Sequence, residues 1–411
     1  MTDTPGAPGA FEATSTFDAS GTFDTPALTT DLERSAWVRL GSVLDPEIRR
    51  PVTELGMVAS ITESAGPGES RTGTTGTGHL TIGIRLTIAG CPLRDTITQD
   101  VEQALEGLDG CTGVEVVMAV MTAEQRARLK ELLTSGRPKN QFEKGSLARV
   151  YAVASGKGGV GKSTVTANLA TALADRGLSV GLVDADIHGF SIPGLLGTTA
   201  KPTRVDEMIL PPVAQGVKVI SIGMFLDADR PVAWRGPMLH RALEQFVTDV
   251  YWGDLDVLLV DLPPGTGDIA ISAAQLLPTS ELLIVTTPQQ AAAQVAARAG
   301  ELAEQTGQQV AGVIENMAAM TLPDGTVLDL FGSGGGQTVA QRLTGSLGHA
   351  VPLLGSVPLD PLLREDGDGG TPVVLEHPES AAGTELRRIA GSLAVRPRGL
   401  SGLKLPVTPR D

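Results

Sequence analysis

A chain of 411 residues is too long for one ordinary domain, so two folded units with tails are expected. Its 32 Lys and Arg against 47 Asp and Glu leave a net charge of −15, which argues against a nucleic-acid coat or a basic membrane-surface protein. Hydrophobic residues make up 41% but aromatics only 3%, so the core must be aliphatic, and two cysteines, Cys91 and Cys111, exclude a disulfide scaffold or a four-thiolate metal site within one chain.

Residues 1–30 are mainly Thr, Ser, Ala, Pro, Gly and Asp with three scattered Phe and no apolar period, and read as a disordered tail. Residues 31–133 read as a small α+β domain: a helix over Leu32–Leu44, strands near Met57–Ile61 and Leu80–Ile88, a helix from Pro92 and a strand over Val114–Val120. Leu93, Ile97, Val101, Leu105 and Leu108 form one apolar stripe on that second helix. Ser64–Gly78, rich in Gly, Thr and Ser, reads as a hairpin loop, and residues 134–147, with Gly136, Pro138 and Gly145, as a linker.

From residue 148 to 395 short β-branched runs alternate with Ala/Leu helices. The runs are Val150–Ala154, Val180–Val183, Val217–Ile222, Val257–Val260, Leu282–Thr286, Val310–Ile314 and Leu353–Val357, the pattern of a doubly wound, mainly parallel sheet. Gly177 closes a helix over Thr164–Arg176, Glu379–Leu393 reads as the last helix, and residues 396–411 form a tail. No apolar stretch is long enough to cross a bilayer, and the N-terminus has no basic region followed by an apolar one, so a cytoplasmic protein without a membrane or nucleic-acid partner is expected.

Between the first strand and helix of this second domain lies Ser155-Gly156-Lys157-Gly158-Gly159-Val160-Gly161-Lys162-Ser163-Thr164. Gly156, Gly161, Lys162 and Ser163 satisfy the P-loop pattern: glycines let backbone N–H groups close round a phosphate, Lys162 reaches the β/γ oxygens, and Ser163 holds Mg. ATP and Mg are the expected cofactors; the alternative is a glycine-rich turn that only looks like this motif. Val257–Val260 ending in Asp261 has the Walker B form, which places Asp261 on Mg through water, and Leu262-Pro-Pro-Gly-Thr-Gly-Asp268 is a turn suited to sensing a γ-phosphate. Asp184 and Asp186 likewise close a strand; a single strand-end Asp is as readily a helix cap.

The second lysine, Lys157, makes the loop K-G-G-x-G-K-S, which resembles the deviant Walker A of the MinD/ParA class of dimeric ATPases. That resemblance implies a homodimer in which Lys157 crosses to the partner's nucleotide, Asp186 orients the attacking water and Asp184 supports the Mg shell. The alternative for Lys157 is a solvated loop lysine. Asp184-Ala-Asp-Ile-His-Gly-Phe-Ser-Ile-Pro193, Trp234-Arg-Gly-Pro-Met238, Asp261–Asp268 and Ile314-Glu-Asn-Met317 are similar to the Mrp/ApbC family of ATPases assigned to iron–sulfur cluster carriage. Asp45-Pro-Glu-Ile48, Pro51–Met57 and Thr87-Ile-Ala-Gly-Cys-Pro92 resemble the small iron–sulfur assembly domain often fused in front of it. The likeness implies that Asn316 recognises the adenine, that the backbone near Pro358 closes the base pocket, and that apoproteins accept the cluster.

One departure stands out. The family carries a C-x-x-C pair after E-N-M, yet residues 317–332 contain no cysteine. Cys91, before Pro92 at a helix start, is expected to have a lowered thiol pKa, and two copies from a dimer offer thiolates for an iron–sulfur cluster; otherwise Cys91 is a helix cap. Cys111 reads as a small loop residue, Gly332-Ser-Gly-Gly-Gly336 as a flexible hinge, His188 as polar surface, and Trp234-Arg235 as a dimer contact or a covered loop. Three functions remain: a homodimeric ATPase that carries clusters, a partner-positioning switch of the MinD/ParA kind, and a cluster-free ATPase scaffold.

Overall fold

The computed structural model describes residues 23, 25–65, 78–136, 138, 140–143, 145–186, 189–225, 236–265, 267–322 and 324–394. The readings placed on residues 1–22, on 395–411, on His188 and on Trp234-Arg235 therefore lie outside the described residues. Two compact units divide the chain: Met1–Gly136 with Thr203–Met208, and Arg137–Pro202 with Ile209–Asp411.

The first unit begins with α1 (Asp31–Leu40). Thr30 and Glu33 form a capping box: Thr30 Oγ1 accepts from the Glu33 N–H at 3.1 Å, and the Glu33 carboxylate accepts from the Thr30 N–H at 3.1 Å. The helix stops at Leu40 with Gly41 as its C-cap, short of Leu44, which instead makes an antiparallel bridge to Pro51, and Asp45 Oδ1 accepts from Glu47 and Ile48 N–H at 3.0 and 2.7 Å. Strands β1 (Val58–Ala65), β2 (Gly78–Leu86) and β3 (Cys111–Val120) form one sheet, antiparallel between β1 and β2 and parallel between β2 and β3. The crossover is α2 (Arg94–Leu105), which buries Ile97, Val101 and Leu105, the stripe read from the sequence. The sequence reading had no element for α3 (Ala123–Thr134), although Thr122 and Gln125 form a second capping box there. Cys111 is not in a loop; it opens β3, and its Sγ lies 3.4 Å from the Gly113 carbonyl oxygen.

The second unit contains β4 (Arg149–Ser155), α4 (Lys162–Asp175), β5 (Val180–Asp184) and α5 (Ile192–Leu195). The chain then runs through β6 (Thr203–Val205), which falls in the first unit, β7 (Met208–Leu210), which begins there, and β8 (Val213–Ala214), after which the second unit continues with β9 (Val217–Ser221), α6 (Gly236–Thr248), β10 (Val257–Asp261), α7 (Asp268–Leu276), β11 (Glu281–Thr286) and α8 (Gln290–Thr306). The chain closes with β12 (Gln309–Ala318), the hairpin strands β13 (Met320–Thr321) and β14 (Val327–Leu328), α9 (Gly335–Leu347), β15 (Leu353–Pro358), α10 (Pro361–Gly369), α11 (Val373–Glu376) and α12 (Ala381–Leu393). Phe142, in the stretch read as a linker, is fully buried in the core of this unit, and the Asn140 amide donates to the Leu276 carbonyl at 3.0 Å.

The eight-stranded sheet has the order β15-β12-β11-β4-β10-β5-β9-β8, with every pair parallel except β8 and β9. Alternation along β4 sends Val150, Ala152 and Ala154 into one apolar cluster and Tyr151 and Val153 into the other, so both faces are covered, as expected of a doubly wound sheet. The chain reverses its winding direction at β4, and ligands of such sheets bind beyond the carboxyl ends of the strands at that point.

Candidate active site

The loop after β4 is shaped by three glycines with separate duties. Gly159 and Gly161 have φ of +78° and +76°, a region costly for any residue with a Cβ. A side-chain carbon on Gly156 would stand 2.7 Å from the Val295 carbonyl oxygen of α8, so that helix can close on the loop only against glycine. Gly161 is also the N-cap of α4, whose first turn carries Lys162 and Ser163.

Asp261, at the end of β10, draws the loop and helix together. It is 0% exposed, and accepts from Lys162 Nζ at 2.7 Å and from Ser163 Oγ at 2.6 Å, on different oxygens. Thr166, one turn further along α4, stands 3.0 Å from the oxygen that faces Lys162. Asp184 is its register neighbour on β5, also fully buried, and its carboxylate accepts from Ser221 Oγ at 3.0 Å and from the Asp186 N–H at 3.2 Å. Burial first, and then the adjacent Asp261, push Asp184 up to about 7; Ser221, the Asp186 N–H and Lys162 oppose the shift. Burial also raises Asp261, against the pull of Lys162, Ser163 and Thr166. With Lys162 and Ser163 donating to separate oxygens, Asp261 is the better holder of the single negative charge that one lysine can balance.

Two carboxylates and a hydroxyl at one strand edge make a hard oxygen donor set of the kind Mg accepts, and a divalent cation there would relieve the repulsion that burial magnifies. The donor set therefore fits Mg, which Ser163 would hold directly with Asp261 and Asp184 behind it.

The remaining sequence candidates are placed as follows. Lys157 Nζ donates at 3.0 Å to Oε1 of Gln289, the N-cap residue of α8. Gly158, Val160 and Thr164 complete the loop, Val160 being buried and its carbonyl accepting from the Asn316 amide at 2.9 Å. Asn316 is 3% exposed and braces the loop from beneath, where a side chain on Gly161 would run into its amide nitrogen; its Oδ1 is buried with no hydrogen-bond partner among the described residues. Pro358 ends β15 in register with Ala318, two residues beyond Asn316. Asp186 is almost buried and begins the segment in which residues 187–188 are not described.

Two expectations are corrected. Helix α2 begins at Arg94 with Leu93 as its N-cap, so Cys91 lies ahead of the helix dipole. Burial pushes its thiol up, the Leu93 N–H opposes, and the Glu47 and Asp45 carboxylates push it further up, so the expected lowering does not occur. The glycine run near residue 334 is no loose hinge: Gly334 caps α9 at φ +78°, and a Cβ on Gly335 would stand 2.5 Å from the carbonyl oxygens of both Thr287 and Pro288. The Gly336 N–H donates at 2.6 Å to the buried Glu315 carboxylate, which also accepts from Ser356 Oγ at 3.1 Å. Among the described residues no group of three or more His, Cys, Asp or Glu is arranged to hold a metal ion, and no helix is long and apolar enough to cross a membrane.

Sequence reasoning missed Thr166, Ser221 and Gln289. Hydroxyls and amides near charged motif residues carry no pattern of their own, and only the register of β5 with β9 brings Ser221 beside Asp184.

Comparison with known proteins agrees with this geometry. Residues 146–394 match the ParA family model described as NUBPL iron-transfer P-loop NTPase, and residues 33–117 match that of an iron–sulfur cluster assembly protein. The chain is 57% identical over 382 residues to an iron–sulfur cluster carrier protein of Mycobacterium tuberculosis, covering 92% of this chain and 97% of the relative. A protein of the same description from Synechocystis is 40% identical over 362 residues, covering 86% and 95%. Among solved structures, a nucleotide-binding protein from Archaeoglobus fulgidus in complex with ADP is 38% identical with a TM-score of 0.47, covering 54% of this chain and 86% of that one. With the P-loop, its Walker B partner and the doubly wound sheet in place, the chain belongs to the ParA-type NUBPL iron-transfer P-loop NTPase family.

Proposed function

We propose that the protein is a cytoplasmic, homodimeric ATPase that binds iron–sulfur clusters and passes them to apoproteins, with closure on Mg-ATP gating the transfer. The observation that carries the reading is the Lys162–Asp261–Ser163 constellation at the carboxyl edge of the sheet, in a chain 57% identical to a cluster carrier. Lys162 binds the phosphates, Ser163 and Asp261 hold Mg with Asp184 in support, and Asp186 orients the attacking water. Mg supplies charge for the developing oxyanion; the glycine loop donates N–H groups and excludes water from the phosphates. Asn316 Oδ1, buried and unsatisfied, is a ready acceptor for the adenine amino group, with Pro358 beside it. Lys157, directed to Gln289 in the single chain, acts on the partner's nucleotide. Its cargo sits between protomers, with Cys91 of each chain as the candidate ligand.

A second reading, a cluster-free ATPase that controls a protein partner by ATP-driven dimerisation, is favoured by the cysteine-free segment 317–332 and by the raised Cys91 thiol. The test is cluster transfer to an apo-acceptor after anaerobic loading with iron and sulfide. Mg-ATP should change the transfer rate for wild type and not for Lys157→Ala. A loaded protein whose transfer ignores ATP contradicts the gating, and a protein that takes no cluster but still dimerises on ATP supports the second reading.

A further inference from the structure

Thr166 is 0% exposed and is not required by the phosphate-loop pattern, yet its hydroxyl faces two acceptors. The Lys162 carbonyl oxygen lies 2.8 Å away and Asp261 Oδ1 lies 3.0 Å away. A hydroxyl carries one hydrogen, so it serves one of them at a time. The same Oδ1 already holds the Lys162 ammonium at 2.7 Å, while Ser163 secures Oδ2 at 2.6 Å.

We propose that Thr166 is a positioning residue: its hydroxyl bonds the helix carbonyl while Lys162 holds Asp261, and turns onto Asp261 Oδ1 when Lys162 leaves for the phosphates. This rests on the nucleotide-site reading of Lys162. The need for it is physical. A fully buried carboxylate that loses its cation loses its strongest reason to stay charged and in place, and Asp184 stands beside it in register. A donor on each oxygen fixes the plane of the carboxylate, so Asp261 keeps the orientation it needs behind Mg. Rotation of a hydroxyl moves no heavy atom, so α4 and the loop need not shift as the partner changes. A hydroxyl one helical turn beyond the P-loop lysine, with its own carbonyl as the resting acceptor, meets each of these requirements.

The experiment uses the full chain with Thr166→Val, Thr166→Ala and Thr166→Ser, measuring binding of a fluorescent ADP in EDTA and then against rising Mg. Wild type and Lys162→Ala are run alongside. In Thr166→Val and Thr166→Ala the ADP affinity in EDTA should fall about tenfold, the worth of one hydrogen bond to a charged group, because Lys162 leaves Asp261 for the phosphates with or without Mg, and the Mg concentration for half-saturation should rise as well. Thr166→Ser should restore the Mg response. An unchanged Mg response in either hydroxyl-free variant, an ADP affinity in EDTA equal to wild type, or a Thr166→Ser protein that behaves like Thr166→Ala overturns the proposal. Thr166→Ala drops the hydroxyl without setting a second methyl against the carboxylate, so it decides the matter if Thr166→Val does not fold. Wild type that binds no ADP even with Mg would sink the nucleotide-site reading itself, a result separate from any of these.

Discussion

Lys162→Met keeps the length of the side chain and deletes its charge, leaving the Asp261 carboxylate buried with two hydroxyl neighbours and no cation. Removing one partner of a buried ion pair costs about 3–5 kcal/mol. Asp261 has an escape, since burial already holds it above the usual carboxylate range and it can take up a proton. Neutralising a carboxyl with an ordinary pKa near 4 at pH 7 costs about 4 kcal/mol, which caps the loss, so about 3–4 kcal/mol is expected. Asp261→Asn strands the Lys162 ammonium instead and should cost a similar amount. The double variant leaves a neutral pair of nearly the same shape and should recover at least about 2 kcal/mol of the summed losses. Urea unfolding followed by tryptophan emission reports it, because Trp252 is 1% exposed in the same apolar cluster as Val260. The two units are fitted as separate transitions. The pH dependence has a definite sign. A carboxyl whose folded pKa lies above its unfolded one binds more protons when folded, so stability falls as pH rises between the two values. The Lys162→Met penalty should therefore shrink toward pH 4. Strictly additive single losses would refute the claim that Lys162 rests on Asp261 before nucleotide arrives.

Further outcomes follow from the same geometry. Asp184, pushed up to about 7, is neutral when folded and charged when unfolded between pH 4 and 7, so in EDTA Asp184→Asn should gain more in Tm over wild type at pH 8 than at pH 4.5; an equal gap at both pH values contradicts this. For Glu33 burial raises the pKa, but hydrogen bonds from the backbone of Glu63, Thr29 and Thr30 and from the Thr29 hydroxyl outweigh it and hold it low. Its stabilisation is thus present above the unfolded pKa and lost as pH falls, and Glu33→Gln should cost the first unit about 1 kcal/mol at pH 7 and almost nothing near pH 3, measured by chemical denaturation. Lys157→Ala should keep ATP binding and lose turnover, because the role proposed for it is on the partner's nucleotide; normal turnover by a monomeric variant would end the idea that it acts across a dimer.

Much of the second unit was legible because its strands are unbroken aliphatic runs and its helices are punctuated by glycine. The seven long runs each became a strand within a few residues, and Gly177, at φ +84°, follows α4 where a stop was expected. The P-loop and its Walker B aspartate were readable because phosphate chemistry demands fixed residue types at fixed spacing. Other features were not readable, for reasons of distance. Phe142 looked like linker because its partners lie more than a hundred residues away, with Thr279 Oγ1 donating to its carbonyl. Thr166 looked like one more small residue on a buried helix. Cys91 misled because proximity to a helix start was taken to lower its thiol pKa; the helix begins at Arg94, and burial, helped by the Glu47 and Asp45 carboxylates from a sequence-distant turn, pushes the thiol up instead. The Gly332–Gly336 run misled in the opposite sense, since Gly335 and Gly336 serve close packing against Thr287, Pro288 and Glu315.

The measurement that bears most directly on the carrier function is the iron and sulfide content of the full chain after anaerobic reconstitution, for wild type and for Cys91→Ala. Cluster absorbance and iron bound by wild type as a dimer, and lost in Cys91→Ala, are the predicted result. Wild type that binds no iron while still hydrolysing ATP would contradict it and leave an ATPase switch without a cluster.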